Sequence, residues 1–223
     1  MHMRRFLYEN GLLLIMFGLF LVFLAGQSMA GWLVYNADQQ EHQQPAIPYS
    51  TYLQSSHFLE AVFENWESEF LQMGAYVILT VLLRQKGSPE SRPLDTKGTG
   101  EDSVAAARRR ANSPWAARQH GWIRKLYEYS LTLALLFLFI LSFILHAVSG
   151  QHVFNEEQAL HGGYAVTTSG YVMTSQFWFE SLQNWQSEFL SVGVLILLSI
   201  FLRQKGSPQS KPVSHPHGET GHE

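Results

Sequence analysis

Residues 58–91 read FLEAVFENWESEFLQMGAYVILTVLLRQKGSPES, and residues 177–210 repeat them without a gap as FWFESLQNWQSEFLSVGVLILLSIFLRQKGSPQS. Of these 34 aligned positions 17 are identical, whereas ordinary residue frequencies would match about two by chance. The identities gather in two motifs, Asn-Trp-x-Ser-Glu-Phe-Leu (65–71 and 184–190) and Arg-Gln-Lys-Gly-Ser-Pro (84–89 and 203–208). Fainter matches at the same offset reach back to Arg5 and Arg124. The sequence therefore consists of two tandem copies of one repeated unit.

The apolar residues of both units are gathered in blocks that suit a membrane. A bilayer core about 30 Å thick needs about 20 apolar residues in a helix, and with their flanks four blocks reach that length: 8–32, 66–84, 127–149 and 185–203. The second and fourth blocks are less apolar, and a buried helix of a soluble protein is the alternative for them. Their aromatic and basic flanks favour the membrane. We predict an all-α membrane protein with four transmembrane helices, as two tandem parallel two-helix repeats.

The predicted organisation has four parts: a first two-span repeat (1–91), a basic linker (92–119), a second two-span repeat (120–211) and a disordered tail (212–223). The linker is rich in charged and small residues, so we expect it to be largely disordered as well. Its Arg108, Arg109 and Arg110 form a cluster that could hold the linker on anionic lipid. Nucleic-acid binding is not expected of a segment tethered to the membrane at both ends.

Charge placement predicts the orientation. The chain has 15 Lys and Arg residues, and none of them lies in residues 31–66 or 150–185. The positive-inside rule therefore places both termini and the linker in the cytoplasm. The first helix could instead be a signal peptide, because Arg4-Arg5 and an apolar stretch precede Ser28-Met29-Ala30. The repeat argues against that alternative, because the matching third helix lies in the middle of the chain.

The Arg-Gln-Lys-Gly-Ser-Pro motif ends each unit like a helix stop, with Gly and then Pro after the last charged turn. Its basic side chains can reach the lipid headgroups, so we predict four cytoplasmic anchors: Arg84, Lys86, Arg203 and Lys205.

The segment before the second span is amphipathic. On a helical wheel, residues 58–73 place Leu59, Phe63 and Trp66 on an apolar face. The opposite face, with Glu60, Glu64 and Glu67, is predicted to face water. The segment is either an amphipathic helix at the outer interface or the upper part of one long helix. Before it, residues 36–46 are predicted to be irregular, and residues 155–170 likewise in the second unit.

One polar constellation repeats and is the candidate site: Asn65, Ser68 and Glu69, with Asn184, Ser187 and Glu188. Glu69 precedes Arg84 by 15 residues, which is about 22 Å along a helix, so we predict it just inside the outer edge of the membrane core. An ionisable group at that depth is a functional candidate. Alternatively, these residues only fix the helix packing. We predict that Glu69 and Glu188 face each other, or face polar groups of the first and third spans, near the outer surface.

Signatures of catalysis are lacking in the sequence. It has no Gly-rich phosphate loop, no His-Glu-x-x-His and no Gly-x-Ser-x-Gly elbow, and it contains 0 Cys. The histidines near the outer boundary (His57, His146, His152 and His161) do not fall at i, i+4 spacing. Haem ligation by His146 has no paired support, because its counterpart is Gln27. We therefore predict no metal site, no cofactor and no enzymatic activity.

With its double unit and its two motifs, nearly the whole chain resembles a family of small bacterial inner-membrane proteins of unknown function. The resemblance implies a multi-pass protein of the bacterial inner membrane. We expect a non-enzymatic structural or accessory subunit of the envelope, in contact with the lipid bilayer and with a second copy or a membrane-protein partner. The alternative is a small channel or a proton- or cation-coupled carrier that uses Glu69 and Glu188.

Overall fold

The computed structural model describes residues 2–91, 110 and 112–220, apart from the side chains of His2, Met3, Gln186 and Ser187. Over these residues the chain forms helices and no strand. Seven α-helices follow in order: α1 (His2–Glu41), α2 (Tyr49–Tyr52), α3 (Ser56–Leu82), α4 (Trp122–Glu128), α5 (Ser130–Leu160), α6 (Thr168–Val172) and α7 (Ser175–Phe201). A 3-10 turn (Ala116–Arg118) precedes α4. Most of the predicted linker lies outside the described residues.

Three of the helices, α1, α5 and α7, are long and apolar enough to cross a membrane. The prediction of an all-helical chain with membrane-crossing helices is confirmed to that extent. Helix α3 falls short of the same measure, because its first half carries four glutamates (Glu60, Glu64, Glu67 and Glu69).

Local sequence explains where the helices begin and end. Ser55 caps α3 by accepting a hydrogen bond from the backbone N–H of Phe58, and Thr174 caps α7 in the same way at Phe177. Such side-chain caps satisfy N–H groups that lack partners inside the helix. Helices α3 and α7 each run without a break from the amphipathic segment into the apolar one.

The irregular loops predicted at residues 36–46 and 155–170 are shorter than predicted. Helix α1 continues to Glu41 and α5 to Leu160, so the irregular segments expected from residues 36 and 155 begin later. The Asn36 side chain closes its loop by accepting from the backbone N–H of Ile47 at 2.8 Å and donating to the Ile47 carbonyl at 3.1 Å. Asn155 does the same with Val166, at 2.8 and 2.9 Å. Both asparagines lie within helices, so α1 and α5 continue beyond the positions at which irregular structure was predicted to begin.

Helix α3 packs along α5, and α7 lies beside α3. A small buried apolar cluster of Ala147, Tyr171 and Phe177 lies where α5, α6 and α7 meet, and Tyr52 and Val62 are buried as well. Helix α1 leaves most of its apolar side chains exposed. It contacts the other helices through Phe20, whose ring lies 6.0 Å from that of Trp66, and through Tyr35, 5.7 Å from Tyr52. The packing that matters for the site is therefore that of α3, α5 and α7.

The tail, predicted to be disordered from residue 212, folds back onto the helix ends through residue 220. The Lys211 ammonium group is buried and donates to the carbonyls of Pro216, His217 and Glu219 at 3.2, 2.8 and 3.0 Å. The backbone N–H of Gly87 donates to the Thr220 hydroxyl at 2.9 Å. The Lys211 side chain therefore holds together a segment whose large apolar side chain, Val213, is 65% exposed.

Candidate functional site

A cluster of polar side chains is enclosed where α3, α5, α6 and α7 meet. Helix α3 contributes Glu60, Glu64 and Glu67, whose spacing of four and then three residues places them on one helix face. The other elements contribute one residue or two each, and we call the whole set the Glu–His cluster: Glu60, Glu64, Glu67, His146, Tyr171, Glu180 and Asn184. Its members come from both copies of the repeated sequence, so neither copy alone contains it.

His146 and Glu67 form the centre of the cluster, and both side chains have no exposed surface. The His146 Nδ1 atom lies 2.8 Å from Oε2 of Glu67. The other oxygen of that carboxylate accepts a hydrogen bond from the Trp185 indole N–H at 3.0 Å. Phe177 stacks on the imidazole with ring centroids 4.9 Å apart. Together these contacts fix the orientation of the His146 ring.

The second imidazole nitrogen of His146 is left without a hydrogen bond to any described residue. Its Nε2 lies 3.5 Å from Oε2 of Glu180. That oxygen accepts the Tyr171 hydroxyl at 2.6 Å, and the other oxygen of Glu180 accepts the Gln176 amide, also at 2.6 Å. With a neutral imidazole that donates Nδ1–H to Glu67, the Nε2 lone pair points toward Glu180.

Three ligand-type atoms therefore converge. One atom from each of Glu60, His146 and Glu180 lies within 4.8 Å of the other two. Glu64 stands beside them and accepts a hydrogen bond from the Asn184 amide. Two carboxylates and an imidazole at this separation can hold a proton or a cation between them.

The charges of the cluster are unbalanced within the chain. Four carboxyl groups share one imidazole, and the sequence has no Lys or Arg in residues 6–83 or 126–202. Glu60 lies before the segment predicted to enter the membrane. Burial, and next the Glu180 carboxylate, raise the pKa of Glu60 to about 8. Burial also raises the pKa of Tyr171, and its hydrogen bond to Glu180 adds to the rise, so the hydroxyl stays a donor.

The six residues of the predicted site are spread over different environments. Asn184 belongs to the Glu–His cluster. Asn65 is exposed and its amide donates to the Ala61 carbonyl of its own helix, while the buried Ser68 donates to the Asn65 carbonyl.

The two glutamates expected to face each other are not enclosed together. Glu69 is exposed and Glu188 is partly exposed. The Glu188 backbone carbonyl accepts the Gln72 amide at 3.2 Å. The Ser187 side chain lies outside the described part of the chain. A role for Glu69 and Glu188 stays a prediction.

The prediction that Glu60, Glu64 and Glu67 face water was wrong. Glu67 is fully buried and the other two are partly buried. A helix in water turns its apolar stripe to the core and its charged face to the solvent. Helix α3 turns its carboxylates to α5 and α7 and leaves part of the apolar stripe outside, with Leu59 37% exposed. Interhelical polar contacts of this kind hold membrane helices together.

The site was not predicted because its histidine and its four glutamates do not repeat. At the 119-residue offset, His146 corresponds to Gln27, Glu180 to Ala61 and Glu67 to Gln186. A search for residues shared by the copies therefore passes over them. A usable signal was present: three glutamates on one helix face in a segment devoid of Lys and Arg.

The predicted anchors lie at the opposite helix ends. Arg84 donates to the Val81 carbonyl at 3.2 Å, and Arg203 donates to that of Ile200 at 3.1 Å. Cationic groups at these positions satisfy the last carbonyls of a helix. Arg110 is described, whereas Arg108 and Arg109 of the lipid-surface cluster lie outside the described residues, and a lipid role for Lys86 and Lys205 stays a prediction.

Comparisons with known proteins identify the family and no activity. No curated protein and no solved structure matches the chain. The family described as Domain of unknown function (DUF6766) matches residues 3–222. The chain therefore belongs to the DUF6766 family.

Proposed function

We propose that the protein crosses the bacterial inner membrane four times and acts there as a non-enzymatic structural or accessory subunit. The observation that carries this proposal is the inverted distribution of polarity. Large apolar side chains lie exposed along α1, α5 and α7, whereas glutamates, a histidine and an asparagine are enclosed between helices. In water such an apolar surface would be an interaction or aggregation site, and in lipid it is the ordinary surface of a spanning helix.

Helix α3 is the proposed fourth crossing. It packs along α5, and a helix that accompanies a spanning helix at the same depth crosses with it. Enclosing Glu67 against His146 and Glu64 against Asn184 removes two of the groups that lipid would reject. With four crossings, both ends of the chain and the Lys- and Arg-rich linker fall on one side, as the positive-inside rule requires.

The recurring contacts support an origin by tandem duplication. The hydrogen bond from Ile47 to Asn36 that closes the first loop recurs as the hydrogen bond from Val166 to Asn155. Each residue of the second pair lies 119 positions after its counterpart in the first pair. The caps at Ser55 and Thr174 stand at the same offset. Two copies inserted the same way up form a parallel repeat, as in many membrane proteins.

A subunit role is favoured over a channel because the polar groups are concentrated in one enclosed cluster. A small channel or a proton- or cation-coupled carrier is the second candidate. The enclosed carboxylates favour it, since such groups could bind a cation. Isolation in mild detergent distinguishes the two: a partner that copurifies in fixed stoichiometry supports the subunit, and cation flux by the protein alone in vesicles supports the carrier.

The topology is tested by labelling single cysteines in this Cys-free chain. Cysteines at Gln43 and Gly163 should react with an impermeant thiol reagent on intact cells, because both residues lie in the proposed outer loops. A cysteine at Gly100, in the proposed cytoplasmic linker, should react only after the cells are opened. Labelling at Gly100 in intact cells would rule out the proposed orientation.

A further inference from the structure

We propose that Glu60, His146 and Glu180 bind one divalent transition-metal ion of the Zn²⁺ class. This inference goes beyond the proposed function and does not depend on it. Its ground is the convergence of one atom from each of the three side chains within 4.8 Å. The three side chains come from three helices, so the fold and not a local motif brings them together.

His146 is prepared as a metal ligand. Its Nδ1 is occupied by Glu67 at 2.8 Å, and Glu67 is itself held by Trp185 at 3.0 Å. Metal-binding histidines commonly donate their other N–H to a carboxylate, which fixes the ring and raises the basicity of the ligating nitrogen. The His146 side chain is completely buried, and its Nε2 has no hydrogen bond to the described residues. The carboxylate oxygen nearest to that atom, Oε2 of Glu180, lies 3.5 Å away, and a metal ion between the two atoms would be coordinated by both.

The surrounding charge favours a cation. Glu60 and Glu180 stand beside Glu64 and Glu67, and the sequence supplies no Lys or Arg in residues 6–83 or 126–202. Buried carboxylates are stable when they are paired or coordinate a metal. A divalent ion would balance two of the four carboxylates, while Glu67 stays paired with His146.

The close approach of the side chains to α5 requires a glycine at position 150. A Cβ atom at this position would lie 2.7 Å from Oε1 of Glu60 and 2.6 Å from the Tyr171 hydroxyl. Glycine therefore allows both groups to approach the backbone of α5. The same tyrosine donates to Glu180 at 2.6 Å, so one hydroxyl helps to orient a proposed ligand.

The donor set selects the class of metal. One imidazole nitrogen and two carboxylate oxygens suit Zn²⁺ and neighbouring first-row ions. Ca²⁺ and Mg²⁺ prefer an all-oxygen set. Thiolate-dependent ions are excluded from this site, since the chain has 0 Cys.

The test is Zn²⁺ binding to the full-length protein in detergent, purified without a histidine tag. The tail histidines are first replaced (His215→Gln, His217→Gln and His222→Gln), so that they do not contribute binding. After treatment with a chelator, this parent protein should take up one Zn²⁺ per chain by calorimetry and elemental analysis. Glu60→Gln and Glu180→Gln should each lose binding. Glu67→Gln should weaken it by about 10- to 100-fold, because Glu67 acts through His146.

Glu157→Gln is the matched control, because Glu157 is an exposed carboxylate near the end of α5, and it should bind Zn²⁺ like the parent. Helical circular dichroism checks that each variant is folded. X-ray absorption of the Zn²⁺-loaded parent needs no variant, and it should show one imidazole and otherwise oxygen neighbours. A folded parent that binds no Zn²⁺, a Glu60→Gln or Glu180→Gln variant that binds Zn²⁺ as the parent does, or a spectrum with two or more imidazoles would each overturn the proposal.

Discussion

Glu67→Ala is expected to lower the free energy of unfolding by about 3–6 kcal/mol, because it removes the acceptor of two buried hydrogen bonds to a carboxylate, each contributing about 1.5–3 kcal/mol. The substitution leaves Nδ1 of His146 and the indole N–H of Trp185 without their acceptor, and both lose a hydrogen bond inside the protein. Thermal or SDS-induced unfolding of the detergent-solubilised protein, followed by circular dichroism, measures the change.

The matched control is Glu69→Ala, two residues further along the same helix. Glu69 is exposed, and substitutions of exposed residues usually change stability by no more than about 0.5 kcal/mol. The repeated motif alone would predict that Glu69 contributes more to stability than Glu67. The pair of variants therefore tests which of the two glutamates of α3 faces the neighbouring helices. If Glu69→Ala is more destabilising than Glu67→Ala, helix α3 does not turn Glu67 toward α5 and α7.

Tyr171→Phe is expected to lower the free energy of unfolding by about 1.5–3 kcal/mol, the range for a hydrogen bond to a charged group. The Tyr171 side chain is buried, with 1% exposed, and its hydroxyl donates to Glu180 at 2.6 Å. The phenylalanine keeps the ring and removes only the hydroxyl, so the loss reports the hydrogen bond. The same unfolding measurement applies.

Tyr52→Phe is the control in the other half of the chain. Tyr52 is the residue that matches Tyr171 in the repeat, and it is equally buried. Its hydroxyl has only a long contact of 3.4 Å to His57, so removing it should cost less than about 1 kcal/mol. If Tyr52→Phe and Tyr171→Phe lower the free energy of unfolding equally, the hydrogen bond from Tyr171 to Glu180 does not contribute the expected stability.

Much of the fold was predictable because it depends on local signals. The apolar blocks predicted α1, α5 and α7, and the helix stops at Gly87 and Gly206 fall where the structure has left-handed glycines, with φ of 85° and 83°. The ends of α1 and α5 were not predictable from hydropathy. They depend on Asn36 and Asn155, which reach 11 positions along the chain to close the loops.

The site was not predictable, because it depends on which way α3 faces. A helical wheel gives the angle between Glu67 and Glu69 but not the direction of the neighbouring helices. Only the packing of α3 on α5 brings Glu67 to His146, 79 positions away. The repeat itself drew attention to Glu69 and Glu188, since they match between the copies. The Glu–His cluster consists largely of residues in which the two copies differ.

The most direct test of this account is a double-mutant cycle on Glu67 and His146. Glu67→Gln, His146→Gln and the double variant are compared in the same unfolding assay. If the two side chains are in contact, the double variant should be less destabilised than the sum of the singles, by about 0.5–3 kcal/mol. Effects that add to within about 0.3–0.5 kcal/mol would contradict the account, because they would show that α3 does not bring its carboxylates to His146.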